Sequence, residues 1–399
     1  MTLGAHRPGV SVRAARSLAL ALCCAFTAAP WCAPPRAVAD DGGTARQAHA
    51  LDAAQEILDG LVPHVVAVSG ASFTAALVLD AASARAVFTA VLRDEIERRH
   101  AALTPGQRLA LLQAQASSSV ASCLARYSFS RRAIVLVRES FDAQRGGAGF
   151  EEHEARDLLA AVLAHEAVHA LDDERFDLDA FYAAAPDDEA LRARAMSAEG
   201  RAVHLARLAA ARAGVPGRAR TLLPGGDRPR DAHAWTLRLT YELGAAYVAD
   251  ERAPDGRRLF DAPPGETLAI VRPDLAEIDG RPREILSGAL ADARVGPLSA
   301  LQLRARYAAL LGPERSGRLF ARYAGGAQAL VHDTNVVVLA FETEDAAEAY
   351  RALAADDAPT RRSGTLVVRA FGPAAETLLA DVETAANAAA ARRTGDEDR

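Results

Sequence analysis

Cysteine is scarce in this chain, and what there is sits at one end. Of Cys23, Cys24, Cys32 and Cys123, the first three fall in a leader-like opening segment. A chain trimmed of that segment keeps Cys123 alone, so it has no internal disulfide and no thiolate cluster for zinc. Cys123 then reads as a buried spectator thiol, with occlusion of a metal in a latent form as the other reading. Lysine is missing altogether: all 46 positions counted as Lys or Arg are arginine, a matter of codon usage that excludes no chemistry. Excess positive charge is missing too. The formal net charge of −6 falls to −10 when the four arginines of the leader are removed, which argues against a nucleic-acid partner.

The leader itself lacks acidic residues. Residues 1–39 carry Arg7, Arg13, Arg16 and Arg36, an apolar run from Ser17 to Ala29, and a small-x-small cleavage site at Ala37-Val38-Ala39 before Asp40. This is the layout of a secretory signal peptide, and the apolar run is too short to span a bilayer. The expected location is secreted or periplasmic, without stable membrane insertion once the signal is removed; a retained N-terminal anchor is the second reading. Cys23 follows Leu22 rather than a small residue, so no lipoprotein is expected.

Glycine and proline are absent from Glu151 to Ala185, and within that stretch lies Leu163-Ala164-His165-Glu166-Ala167-Val168-His169. Leu158, Leu159, Val162, Leu163 and Val168 recur at helical spacing, so the segment reads as a helix. Residues four apart share a helix face, so both imidazoles can meet one ion while Glu166 leans toward the same space. That set suits zinc, with Glu166 as the base that takes a proton from water. The pattern arises by accident in about one chain in a hundred of this length. Burying two histidines and a glutamate on an apolar face without an ion or a polar network would be costly.

Two histidines hold zinc poorly, so a third ligand is needed. Glu199 is the preferred choice, on a following helix able to run antiparallel to the first, beside the small Gly200; Asp177, His204 and His233 remain competitors. Asp173, four residues beyond His169, could accept the other ring N–H of that ligand. Tyr241, or less readily His233 or Arg283, could donate to a developing oxyanion.

Around these residues the chain alternates helical and strand patterns. Helices are expected at His49–Leu61, Ser83–His100, from Thr104 onward, at about Glu189–Ala213 and at Trp235–Ala249. A strand is expected at Phe73–Leu79. Ile134–Val137 is a clearer strand, whose outer edge could pair with an extended substrate. From about residue 296 come a helix, two strand-like runs, a helix, the strand Thr365–Ala370 and a closing helix, with Thr394–Arg399 expected to be disordered. The expected fold class is therefore α+β and mainly helical. Its expected parts are a signal peptide (1–39), a main domain (40–295) and a C-terminal α+β module (296–399).

His165, Glu166 and His169 with a downstream helical glutamate resemble the gluzincin group of zinc metallopeptidases. More closely, the run from Leu163 to Leu178 is similar to the His-Glu-Leu-x-His-Ala-Leu-Gln-Asp-Gln-x-Phe-Asp-Leu signature of a set of secreted bacterial and archaeal gluzincin-like proteins. Glu199-Gly200-Arg201-Ala202 matches their Glu-Gly-x-Ala signature. Weaker echoes lie at Tyr241–Val248, from Pro282 to Leu286 and at Thr343–Tyr350. Asp172 and Glu174 stand where amides are usual, and Ser287-Gly288 where His-Pro often follows. The resemblance implies a zincin-like domain with zinc on His165, His169 and Glu199, Glu166 as general base, and a peptide or protein substrate. An endopeptidase is favoured over an aminopeptidase, because no Gly-x-Met-Glu-Asn stretch is present. A zinc-stabilised, non-catalytic envelope or binding protein is the alternative.

Overall fold

The structure, a computed structural model, describes residues 43–72, 78–80, 124–137, 151–217, 231–250, 256–275, 277–290, 293–331, 333–354 and 358–397, with scattered positions between 89 and 112. The leader, Cys123, the side chain of His233 and most of the expected helix Ser83–His100 lie outside them. Two compact units emerge. The first takes residues 1–228 and 240–263, the second 229–239 and 264–399. The second thus reaches back to Pro264, well before the change of character at 296. No helix among the described residues is long and apolar enough to cross a membrane.

The first unit is built on helix α1 (Gly43–Ser69), strands β1 (Val78–Asp80), β2 (Ala125–Ser128) and β3 (Ala133–Leu136), and helices α2 (Glu152–Phe176), α3 (Leu178–Ala183) and α4 (Asp188–Arg212). Helix α5 (Ala232–Asp250) contributes its residues from Thr240, and α6 (Arg257–Asp261) follows. A capping box between Glu151 and Glu154 starts α2, and Glu152 and Glu154 suit the positive end of its dipole. Asp177 ends the helix in a left-handed conformation (φ 51°), and its side chain accepts from the Ala180 N–H to start α3. Asp187 caps α4 in the same way, accepting from Glu189 and Ala190. Helices α1, α2 and α4 share one core, with Leu58, Leu163, Val168, Leu171 and Leu205 meeting Ile134 and Leu136 of the sheet. Each such leucine contributes about 1.5–3 kcal/mol through burial.

The strand order is β1-β3-β2, with β1 parallel and β2 antiparallel to β3. This corrects the expectation for Ile134–Val137. Strand β3 lies in the middle of the sheet with both edges paired, so it has no free edge for a substrate; β2 is the outer strand among the described residues. All four β3 residues are buried, and an unbroken apolar run marks a strand enclosed on every side rather than one at a margin.

The second unit contains α7 (Leu268–Val271), α8 (Arg281–Ala289), β4 (Arg294–Pro297), α9 (Ala300–Leu311), α10 (Pro313–Phe320), β5 (Tyr323–Val331), β6 (Thr334–Phe341), α11 (Glu344–Ala354), β7 (Thr360–Ser363), β8 (Leu366–Phe371) and α12 (Ala375–Glu397). Its antiparallel sheet runs β4-β5-β6-β8-β7. Ile285 and Leu286 of α8 and Leu379 and Val382 of α12 pack with Val336, Val338 and Val368. A second aromatic cluster joins Tyr307, Phe320, Tyr323, Phe341 and Tyr350. Helix α12 continues to Glu397, into the tail expected to be disordered, because its alanines favour helix. The described residues are α+β and mainly helical, with one mixed and one antiparallel sheet.

Candidate metal centre

His165 and His169 lie one turn apart on α2, their rings 4.7 Å apart and nearly perpendicular at 85°. Glu199 arrives from α4, close enough to put three ligand atoms in one small triangle. His165 Nε2 is 3.1 Å from Glu199 Oε2, His169 Nε2 is 3.3 Å from that oxygen, and the two nitrogens are 3.1 Å apart. Ligand atoms around a tetrahedral zinc with bonds of about 2.0–2.1 Å stand roughly 3.3 Å from one another. The residues present therefore fit such an ion, and nitrogen and carboxylate donors suit a catalytic more than a thiolate-bound structural zinc.

Electrostatics point the same way. Burial works against charge on His169, yet the Glu199 carboxylate, with Glu166 and Asp172 behind it, outweighs burial and pushes the imidazole up to about 9. Burial also opposes charge on Glu199, but His169 and His165 hold it well below the ordinary carboxylate range. A negative potential strong enough to hold a proton at this spot favours a divalent cation there as well.

Two features bring α4 to the right height. Its Gly200 meets Gly244 of α5 backbone to backbone: a Cβ at Gly200 would come within 2.1 Å of the Gly244 carbonyl carbon. The small residue beside Glu199 thus serves the crossing with α5, rather than an approach to α2. The second feature is a buried ion pair. Arg201 Nε lies 3.0 and 3.1 Å from the two carboxylate oxygens of Asp172, with the side chains 1% and 0% exposed. Burial pushes the Asp172 carboxyl up, and the Arg201 guanidinium opposes that. The pair joins the turn of α2 after His169 to the turn of α4 after Glu199. Gly256, in a left-handed conformation (φ 73°), covers it, and any Cβ there would strike the guanidinium.

Glu166 is buried beside the triangle, 4% exposed. Its Oε2 accepts the backbone N–H of Tyr127 on β2 at 2.6 Å; Oε1 has no partner among the described residues. Burial raises its carboxyl above the usual range, against His165, His169 and the Tyr127 N–H. Tyr241 is buried with Val203 and Ala245, its ring 5.8 Å from that of His165.

Asp173 is not where the sequence reading put it. Its carboxylate accepts the Tyr127 hydroxyl at 2.9 Å and the Leu178 N–H at 3.0 Å, while His169 Nδ1 is buried with no partner among the described residues. An N–H at the end of the helix and a phenol from β2 both reach Asp173 and take up its oxygens. Of the competing ligands, Asp177 caps α3, and His204 is half-buried on α4, its imidazole held down by burial and by Arg201 and Arg207. Neither joins the ligand group among the described residues. Arg283 belongs to the second unit, where it meets Glu266. Sequence reasoning missed Tyr127, because its link to Glu166 is a main-chain N–H that any residue but proline would supply. It also missed the pairing of Asp172 with Arg201.

Against protein-family models, curated proteins and solved structures, the chain finds no match.

Proposed function

We propose that this protein is a zinc-dependent hydrolase, a metalloendopeptidase of zincin-like architecture exported behind residues 1–39. The observation that carries the reading is the convergence of His165 Nε2, His169 Nε2 and Glu199 Oε2 within 3.1–3.3 Å, with a buried Glu166 alongside. The gluzincin resemblance of the same residues supports it. A zinc ion held there supplies hydroxide near neutral pH and polarises the scissile carbonyl.

The chain's own groups account for the remaining work. Glu166 keeps Oε2 on the Tyr127 N–H, which leaves Oε1 to take the proton of the attacking water and pass it to the departing amine. Tyr241, edge-on to His165, is the phenol we assign to the oxyanion. Hydrolysis of a non-peptide amide would use the same groups.

Glu166→Gln is the deciding variant. It is expected to bind one zinc per chain, as the wild type does, and to lose at least about 10³-fold in turnover of a mixed peptide library. A wild type that retains zinc but cuts nothing in that library, or a Glu166→Gln protein that cuts normally, would overturn the peptidase. The first result would favour a zinc-stabilised binding or envelope protein.

A further inference from the structure

We infer that Tyr127 is a positioning residue for Glu166, pinning strand β2 to the motif helix at two points. In the β2–β3 ladder Arg126 stands opposite Val135 and Ser128 opposite Ala133, and the Val137 N–H bonds the Leu124 carbonyl at 2.8 Å. The even-numbered residues of β2 thus turn their backbone groups toward β3. By the alternation of an antiparallel pair, the N–H of Tyr127 points away from β3. There it meets Glu166 Oε2 at 2.6 Å. A hydrogen bond to a carboxylate is roughly twice as strong as one between neutral groups.

The side chain supplies the second pin. Its hydroxyl donates to Asp173 Oδ2 at 2.9 Å, and the other Asp173 oxygen is fixed by the Leu178 N–H at 3.0 Å. Glu166 and Asp173 are seven residues apart, two turns along the same face and about 10 Å along the axis. One strand residue therefore spans two turns of α2, and strand and helix cannot slide past one another without breaking a buried bond. Burial and the Asp173 carboxylate both raise the phenol well above its usual range, so it stays protonated as a donor. The ring also packs edge-on against Phe129, at 5.6 Å and 80°, a contact that phenylalanine would keep. Removing only the hydroxyl thus frees the strand while sparing the core. The Glu166 carboxylate then loses its fixed direction. The consequence for turnover rests on the hydrolase reading above; the clamp does not.

Hydrogen exchange at single-residue resolution tests the clamp in the full-length zinc-loaded protein. Tyr127→Phe is expected to speed exchange of the amide at position 127 at least about tenfold, toward the rate in Glu166→Ala. The inward-facing amides at 126 and 128 should keep their protection. Protection at 127 equal to wild type overturns the inference, and so does a uniform rise along the whole strand, which would mark a structural role only. The second arm uses dye-quenched casein as substrate. With the clamp loosened, kcat should fall about tenfold, while KM and zinc content stay close to wild type. Unchanged kcat in an enzyme that cuts casein overturns the positioning role. A wild type that cuts neither casein nor a peptide library, but shows the selective exchange pattern, sinks the hydrolase reading and leaves the clamp in place.

Discussion

One carboxylate turns a pair of histidines into a group that could hold a metal ion. Glu199 lies thirty residues beyond His169 and places its Oε2 within 3.3 Å of both ring nitrogens. Glu199→Ala is therefore expected to weaken zinc binding by more than the 10–100-fold typical of losing a group behind a ligand, measured by chelator competition. Added zinc is expected to raise the Tm of the wild type and to leave that of the same variant unchanged, because a ligand stabilises only in proportion to its affinity for the folded state. Undiminished zinc affinity would remove Glu199 from the site. At this scale the i, i+4 spacing made His165, Glu166 and His169 legible. The identity of the third ligand was a choice among several acidic and histidine residues, because spacing along the chain does not say which helix returns. Asp173 and Tyr127 were not legible: one turned away from the histidine it was expected to orient, and the other meets Glu166 through its main chain.

At the scale of elements, the register of α4 against α2 matters most. Asp172 and Arg201 form their ion pair with almost no exposure, so each depends on the other. Arg201→Met leaves a buried carboxylate without its partner and is expected to cost about 3–5 kcal/mol in urea unfolding. Combining it with Asp172→Leu should restore most of that loss, since a matched apolar pair avoids the desolvation cost of both charges. If the double variant is as unstable as the single one, the pair is not the source of the cost. The Gly200–Gly244 crossing constrains the same helix from its other side, with backbone where a side chain would have to go. Long elements such as α2 and α4 were legible from their helical period, helped in α2 by the absence of glycine and proline. The short strands β4 and β7, Arg-Val-Gly-Pro and Thr-Arg-Arg-Ser, were not. They are polar sheet margins, and pairing with a neighbour rather than their own pattern makes them strands.

Across the whole molecule, each unit has its own buried arginine paired with carboxylates. In the second, the buried Arg272 donates to Asp274 at 2.9 Å, to Glu342 at 2.8 Å and to the Tyr323 carbonyl at 3.1 Å. Its hydrogen bonds hold both carboxyls below their ordinary range. A carboxyl lowered on folding contributes stability above its unfolded pKa and loses that contribution as pH falls through its folded value. The second unit should therefore weaken as pH drops below the unfolded glutamate value of 4.5, and Arg272→Met should flatten the slope. Urea unfolding followed by fluorescence of Trp235, which lies in this unit, measures it. A wild-type midpoint that is constant from about pH 5 to 3 would count against the network.

Spacing along the chain is enough to show its helical character and to bring two imidazoles and a glutamate together on one helix. Both are local, written in spacing over a few residues. Which carboxylate closes the triangle, which strand lies at the centre of the sheet, and where Asp173 and Tyr127 spend their hydrogen bonds emerge from the packed fold. Those outcomes depend on elements far apart in the chain meeting at a given height and rotation. Packing sets that meeting, through a glycine crossing and a buried ion pair, and no local pattern records it.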